Sequence, residues 1–248
     1  MPKKPCDECQ DTGWILESKD GREVARRCSC FKKKQKQSLF TQANIPARYS
    51  NCRLDNFEIH DPSHKDVLNL CKQFVKNYPA QDVGLLFIGP CGVGKTHLAT
   101  AIINELILKR NALCYFCDFR ELIRNIQSTY SSSSTHTESD VLSPVFQADI
   151  VVLDELGAKR TTAWVEDTVF YIINQRYNNR KLTLFTSNFL DSEDDEVDDR
   201  DEFYKKNDDT LIDRIGVRLR SRIYEMCKVV NVEGKDYRKA FKQASYRF

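Results

Sequence analysis

The chain has 248 residues, which is enough for one well-packed domain and a small additional module. A hydrophobic fraction of 41% is typical of a soluble globular protein, and no apolar run reaches the roughly 18 residues of a membrane-spanning helix. The net charge of +2 excludes a uniformly basic or acidic chain, although the charges are strongly segregated along the sequence.

The first residues, Met1–Cys6, lack the apolar stretch of a secretion signal, so we expect a cytoplasmic protein whose ten cysteines are reduced.

Residues 1–31 are predicted to form a zinc-binding module, because they contain two close cysteine pairs. The pairs are Cys6 with Cys9 and Cys28 with Cys30. Tetrahedral Zn²⁺ is commonly held by four thiolates, which two such pairs can supply. A module of this size has little hydrophobic core, so metal binding would supply much of its folding free energy. Disulfide pairing is the alternative, which a reducing compartment disfavours.

Residues 32–65 are predicted to be a basic, polar linker, because Pro46 and Pro62 interrupt a segment without regular periodicity. A run of cations leads into it: Arg22, Arg26, Arg27, Lys32, Lys33, Lys34 and Lys36. Such a run can neutralise nucleic-acid phosphates, and a solvated, disordered segment is the alternative.

Residues 66–248 are predicted to form an α/β domain, with a parallel sheet that has helices on both faces. Short, uninterrupted apolar runs indicate strands that are buried on both sides, at Gly84–Ile88, Leu113–Cys117, Ile150–Leu153 and Leu182–Thr186. Amphipathic helices are expected at Thr96–Lys109, Phe119–Gln127 and Thr162–Tyr177. Cys114 and Cys117 should point to opposite faces of their strand and belong to the core.

A phosphate-binding loop follows the first of these strands. It comprises Gly89, Pro90, Cys91, Gly92, Val93, Gly94, Lys95 and Thr96, and matches G-x-x-x-x-G-K-[ST] between a strand and a helix. The glycines let backbone N–H groups approach phosphates, and the helix N-terminus adds partial positive charge. We expect Lys95 to contact the β- and γ-phosphates of ATP and the Thr96 hydroxyl to bind Mg²⁺.

Two carboxylates end the strand that begins at Ile150, which we expect to lie next to the phosphate strand. Asp154 is predicted to hold Mg²⁺, mostly through water, and Glu155 to orient and polarise the attacking water. Asn188, at the end of the following strand, is a candidate for fixing that water near the γ-phosphate. An exposed pair of carboxylates without catalytic role is the alternative for Asp154 and Glu155.

The C-terminal part contains two charged segments. Asp191–Glu202 is almost wholly acidic and is interpreted as a solvated insertion. Arg214, Arg218 and Arg222 recur every four residues, which predicts one face of a single helix. One of these arginines could reach a phosphoryl group across a subunit interface, or all three could form a solvated basic face.

These motifs together resemble the DnaC/DnaI family of bacterial helicase loaders. The likeness rests on the phosphate loop with His97-Leu-Ala, on Leu153-Asp-Glu-Leu-Gly, on Thr186-Ser-Asn, on Tyr237-Arg and on Ile45-Pro-Ala-Arg-Tyr. It extends to the transposition helper ATPase IstB, which shares the ATPase domain.

The resemblance implies an AAA+ ATPase that self-associates, binds single-stranded DNA and docks a replicative helicase through its N-terminal region. By the same resemblance, Arg222 within Leu219-Arg-Ser-Arg-Ile223 matches the inter-subunit arginine, and Arg238 is a second nucleotide-sensing candidate. We expect slow hydrolysis without DNA or a partner. The alternatives are an IstB-like helper that binds duplex DNA and a transposase, and a non-catalytic adaptor in which nucleotide only supports the fold.

Overall fold

The computed structural model describes residues 5–19, 22–131, 135–158, 162–189 and 210–240. The N-terminal module contains a two-stranded antiparallel hairpin, β1 (Trp14–Lys19) and β2 (Arg22–Arg27), followed at once by helix α1 (Ser29–Gln42). All six residues of β2 are exposed, and the hairpin forms a sheet of its own.

The interval 32–65 differs from the linker that the sequence predicts. Most of α1 lies in it, two short 3₁₀ turns follow at Ala47–Tyr49 and Leu54–Asn56, and helix α2 (Ser63–Asn77) begins before its end. Ala43 and Leu54 are buried in the same core as the main sheet. The linker interpretation is therefore wrong for this part. The sequence did not indicate this packing because the few buried apolar residues are irregularly spaced and show no helical or strand period.

A five-stranded parallel sheet forms the centre of the molecule. Its strands are β3 (Gly84–Ile88), β4 (Cys114–Asp118), β5 (Ile150–Asp154), β6 (Leu182–Ser187) and β7 (Cys227–Asn231). Their order across the sheet is β4-β5-β6-β3-β7. The expectation that the strand bearing Asp154 lies next to the phosphate strand β3 is therefore wrong, because β6 pairs with both and separates them.

Helices cover both faces of this sheet, as expected. One face packs against α2 and α3 (Lys95–Arg110). The other packs against α4 (Phe119–Thr129), α5 (Glu138–Gln147) and α6 (Ala163–Asn178), together with the C-terminal helices. The buried Cys114 and Cys117 lie in opposite core clusters, which confirms their assignment to the two faces of one strand.

The three periodic arginines do not share one helix, so that expectation is wrong. Helix α7 (Leu211–Ile215) ends at Gly216, whose φ of +81° breaks the helix before α8 (Val217–Met226) begins. Arg214 consequently lies on α7, whereas Arg218 and Arg222 lie on α8. A short final helix, α9, spans Tyr237–Ala240.

The acidic segment Asp191–Glu202 falls outside the described residues. None of the described helices is both long and apolar enough to cross a bilayer.

Candidate nucleotide-binding site

The phosphate loop connects the end of β3 to the first residue of α3, as the sequence pattern predicts. Gly92 and Gly94 have φ values of +84° and +101°, which other residues rarely adopt. A Cβ atom on Gly92 would also lie 1.9 Å from Oδ1 of Asp236, and one on Gly94 would lie 2.6 Å from the ring of Phe57. Both glycines are therefore required by backbone conformation and by close neighbours.

Lys95 places a buried positive charge inside this loop. Its Nζ donates hydrogen bonds to the carbonyl oxygens of Gly89 and Pro90 at 2.7 and 2.6 Å. Burial lowers the pKa of Lys95 to about 8, since desolvation disfavours the ammonium form. An anionic phosphate entering the loop would offset this cost, which makes the site suited to a polyphosphate.

A cluster of oxygen atoms joins the loop to the carboxyl ends of β5 and β6. The Thr96 hydroxyl donates to Asp154 Oδ1 at 2.9 Å, and the Thr186 hydroxyl donates to the same oxygen at 2.6 Å. Burial raises the pKa of Asp154, although these hydrogen bonds oppose the rise. A hydroxyl and a carboxylate held together beside a phosphate loop are a donor set that fits Mg²⁺.

Glu155 follows Asp154 with an unusual backbone conformation, a φ of +57°. Its N–H donates to the Thr186 hydroxyl at 3.0 Å, which fixes the turn that follows β5. Its carboxylate is 39% exposed and lies 3.2 Å from the Arg120 guanidinium at the start of α4. Glu155 is thus held at the edge of the site with one oxygen paired to a cation.

A cavity of about 460 Å³ adjoins the loop and brings most of the predicted site residues together. Glu155, Asn188 and Arg238 all line it with Lys95 and Thr96. Part of its wall comes from the segment before α2, namely Arg48, Tyr49, Asn51, Cys52, Asn56, Phe57, Glu58 and His60, and from His64 at the start of α2.

A C-terminal segment crosses the loop and places Arg238 in the cavity wall. Tyr237 N–H donates to the Gly92 carbonyl at 3.1 Å, and the Tyr237 hydroxyl donates to Glu58 at 2.9 Å. The segment around Tyr237 and the segment before α2 therefore meet over the phosphate loop.

Sequence reasoning missed several of these residues. Thr186 belongs to a predicted strand and to the Thr-Ser-Asn motif, but neither pattern predicts its hydrogen bond to Asp154. Arg120 gave no signal, since a lone arginine after a strand is common. The wall from Arg48 to His64 was hidden by the linker interpretation.

None of the three periodic arginines lines this cavity. Each is stacked on an aromatic ring. Arg214 lies over Phe189 at 4.5 Å, Arg218 over Phe170 at 4.6 Å and Arg222 over Tyr177 at 4.2 Å, measured from Cζ to the ring centroid. The structure therefore does not bring Arg222 to the phosphate loop of its own chain.

The four predicted zinc ligands converge in the N-terminal module. The sulfur atoms of Cys6, Cys9, Cys28 and Cys30 all lie within 4.8 Å of one another. The Cys6–Cys28 and Cys9–Cys30 sulfur distances are 3.8 and 3.2 Å. Four sulfur atoms bound to one Zn²⁺ in a tetrahedron, at about 2.3 Å each, would lie about 3.8 Å from one another. These separations are too long for disulfides, so the donor set fits zinc.

A family model described as "IstB-like ATP binding protein" matches residues 22–245. Among curated proteins, the replicative helicase loader DnaC of Buchnera aphidicola subsp. Baizongia pistaciae is 28% identical over 152 residues, which is 61% of this chain and 61% of that protein. The phage-like element PBSX protein XkdC of Bacillus subtilis is 25% identical over 245 residues, covering 94% of this chain and 84% of that protein.

Among solved structures, a crystal structure of the DnaC helicase loader superimposes with a TM-score of 0.63 and 32% identity. The match covers 76% of this chain and all of that one.

Proposed function

Since this chain belongs to the IstB-like ATP-binding protein family, we propose that it is a cytoplasmic AAA+ ATPase that loads a replicative helicase onto single-stranded DNA. The observation that carries this proposal is the hydrogen bond of 2.9 Å from the Thr96 hydroxyl to Asp154, beside Lys95 and Glu155. These four side chains together are suited to binding Mg-ATP and hydrolysing it. The 32% identity to the crystallised DnaC helicase loader supports the loading role.

Binding would depend on the phosphate loop. Backbone N–H groups at the start of α3 would surround the β- and γ-phosphates, with Lys95 moving its donors from the carbonyls of Gly89 and Pro90 to phosphate oxygens. Thr96 and Asp154 would hold Mg²⁺, which when bound neutralises charge on the phosphates.

Hydrolysis would depend on Glu155 and Asn188 at the cavity edge. Glu155 would orient and polarise the attacking water, and the Asn188 amide would hold that water in line with the γ-phosphate. Arg120 would hold the Glu155 carboxylate along the edge of the site. Arg238 would contact the phosphates from the C-terminal segment.

Completion of the site would require a neighbouring chain. Arg222 is stacked on Tyr177 of α6 and does not line the cavity of its own chain, so it would serve a neighbour's phosphoryl group. Side-by-side assembly would therefore couple hydrolysis to the gathering of chains on single-stranded DNA.

The N-terminal module would dock the helicase. Zinc held by Cys6, Cys9, Cys28 and Cys30 would fix the base of the β1–β2 hairpin, which stands apart from the main sheet and is fully exposed along β2. The match to the IstB-like family keeps open the second function that the sequence resemblance implies, a transposition helper that binds duplex DNA and a transposase. A DNA-remodelling helper has no evident need for the cysteine module, which is why we prefer the loader.

A loading assay tests the proposal. The chain would be mixed with ATP, the replicative helicase of its own genome and a closed single-stranded DNA circle, and circle-bound helicase would be counted after a salt wash. We expect loading that the Lys95→Ala variant does not support. The transposition helper would be supported instead if neither the unmodified protein nor the Lys95→Ala variant loads the helicase, and if duplex DNA and a transposase stimulate ATP hydrolysis by the unmodified protein. Absence of phosphate release under all conditions would indicate the non-catalytic adaptor.

A further inference from the structure

The guanidinium of Arg222 is held by two groups from different helices. Its Cζ lies 4.2 Å from the ring centroid of Tyr177, which is on α6. Its NH1 lies 3.5 Å from Oε2 of Glu225, one turn along α8. The Tyr177 hydroxyl donates a hydrogen bond to the other oxygen of Glu225, so the ring and the carboxylate are fixed to each other.

We propose that Tyr177 and Glu225 are positioning residues that hold Arg222 ready for the active site of a neighbouring chain. The proposal rests on the function in trans proposed above for Arg222. Tyr177 and Glu225 would touch neither ATP nor the reacting water, and would act only through the arginine.

The physical reason is the flexibility of arginine. A free arginine side chain has many rotamers, and restricting them costs free energy when the chains assemble. Stacking on a ring and pairing with a carboxylate restrict the side chain beforehand. Only NH1 meets a carboxylate within the described part of the chain, which leaves other N–H groups able to donate to a phosphoryl group.

Arg218 provides an internal comparison. It is stacked on Phe170 of α6 at 4.6 Å, but no carboxylate of the described residues meets its guanidinium. Arg222 therefore has two fixed contacts where Arg218 has one. This difference selects Arg222 as the presented arginine and supplies a matched control, since Phe170→Leu removes an equivalent ring beneath the other arginine.

The first test is steady-state kinetics at a protein concentration where the chains assemble. Tyr177→Leu should lower kcat about threefold to tenfold with the KM for ATP unchanged, because stacked cation–ring contacts contribute on this scale. Tyr177→Phe keeps the ring and should retain more activity than Tyr177→Leu. Phe170→Leu should leave kcat within about twofold of the unmodified protein.

The second test separates the donor of the arginine from the chain that binds ATP. Arg222→Ala binds ATP but donates no arginine, whereas Lys95→Ala donates the arginine but does not bind ATP. Mixing the two should restore part of the hydrolysis. Replacing the donor by the double variant Lys95→Ala/Tyr177→Leu should restore about threefold to tenfold less, and Lys95→Ala/Phe170→Leu should restore as much as Lys95→Ala.

Folding of the variant is checked in the same experiment. Tyr177→Leu used as the ATP-binding chain, with Lys95→Ala as donor, should give at least as much hydrolysis as Arg222→Ala gives with the same donor, because its own arginine is not needed there. Equal restoration by donors with and without Tyr177→Leu would overturn this inference and leave the proposed function standing. No restoration by Lys95→Ala itself, in mixtures shown to co-assemble, would overturn the trans role of Arg222.

Discussion

At the scale of single residues, Lys95 should set the upper pH limit of nucleotide binding. Burial lowers its pKa to about 8, so the free site loses its ammonium charge as the pH rises through that value. The neutral amine attracts phosphate weakly. We therefore expect ATP affinity to fall about tenfold between pH 7 and pH 9, measured by calorimetric titration.

Lys95→Arg is the control for this prediction, because a guanidinium stays protonated over the whole range. Its affinity, even if weaker, should not change with pH. An affinity of the unmodified protein that is constant from pH 7 to pH 9 would contradict the assignment of Lys95 to the phosphates.

Glu155 should affect turnover without affecting binding. Glu155→Gln keeps the shape of the side chain but cannot accept a proton from water, so we expect at least about a hundredfold loss of hydrolysis with ATP still bound. Phosphate release and equilibrium binding would be measured on the same samples. Glu121→Gln, an exposed carboxylate on α4, should change neither, and a hydrolysis rate for Glu155→Gln within about twofold of the unmodified protein would remove Glu155 from this role.

Local sequence patterns predict only some of these residues. The glycines and Lys95 follow one another in a short motif, so their spacing alone indicates phosphate binding. Thr186 and Arg120 come from separate strand ends, and their contacts with Asp154 and Glu155 depend on how β4, β5 and β6 are aligned. No spacing along the chain carries that information.

At the scale of elements, Arg176 of α6 joins three segments of the core. It is 1% exposed, and its guanidinium donates to the carbonyls of Val145, Ala148 and Leu182 and to the Thr183 hydroxyl. These groups lie at the end of α5 and the start of β6. The arginine thus satisfies backbone oxygens that would otherwise be buried without a donor.

Arg176→Met should therefore destabilise the protein by about 3 kcal/mol, because several buried oxygens lose their donors. Urea denaturation followed by circular dichroism would measure this. Arg124→Ala, at an exposed position of α4, should change the free energy of unfolding by less than about 0.5 kcal/mol. Equal stability of the Arg176→Met variant and the unmodified protein would show that water or rearranged side chains replace the guanidinium.

The cysteine module should bind about one zinc ion per chain, since its four sulfur atoms lie within 4.8 Å of one another. Hydrogen bonds among the four thiols support the assignment of this cluster to zinc. Burial raises the pKa of Cys9, but hydrogen bonds from Cys30, Gly13, Cys28 and Cys6 outweigh it and lower that pKa to about 7.

Replacing both Cys6 and Cys28 by serine should remove the metal, as measured by atomic emission. ATP affinity should be unchanged, because the cluster and the phosphate loop share no residues. Cys91→Ser changes an exposed thiol outside the cluster and should keep its zinc. Purified protein in which the four cluster thiols are free and no zinc is bound would contradict the assignment.

The four predicted strands agree with the structure, whereas β7 and α1 were not predicted. The four predicted strands agree with β3 to β6 within about a residue at each end, because buried parallel strands are continuous apolar runs. The edge strand β7 was missed, since only two of its five residues are buried. Helix α1 was missed because it has no buried residues and hence no apolar stripe.

At the scale of the whole molecule, the order of the strands could not be obtained from the sequence. Chain order places β5 between β4 and β6, but the insertion of β6 between β5 and β3 depends on long-range pairing. That strand order determines which side chains meet at the candidate site. It puts the end of β6, with Thr186 and Asn188, between the phosphate loop and Asp154, where a water-positioning group is needed.

The arrangement of the helical layers explains why Arg222 is separate from the cavity. The α6–α8 layer covers the face of the sheet opposite to α3, and Gly216 turns α8 so that Arg218 and Arg222 lie on aromatic side chains of α6. The cavity of a single chain therefore contains every proposed catalytic group except the arginine. Hydrolysis should depend on assembly, and single-stranded DNA should promote it by gathering chains.

The rate of phosphate release per chain, followed over a range of protein concentrations with and without single-stranded DNA, tests this shared active site most directly. The rate per chain should rise with concentration, and single-stranded DNA should raise it most where the protein is dilute. Glu155→Gln should stay near zero throughout. A rate per chain that is the same at every concentration, and that single-stranded DNA does not change, would contradict the shared site.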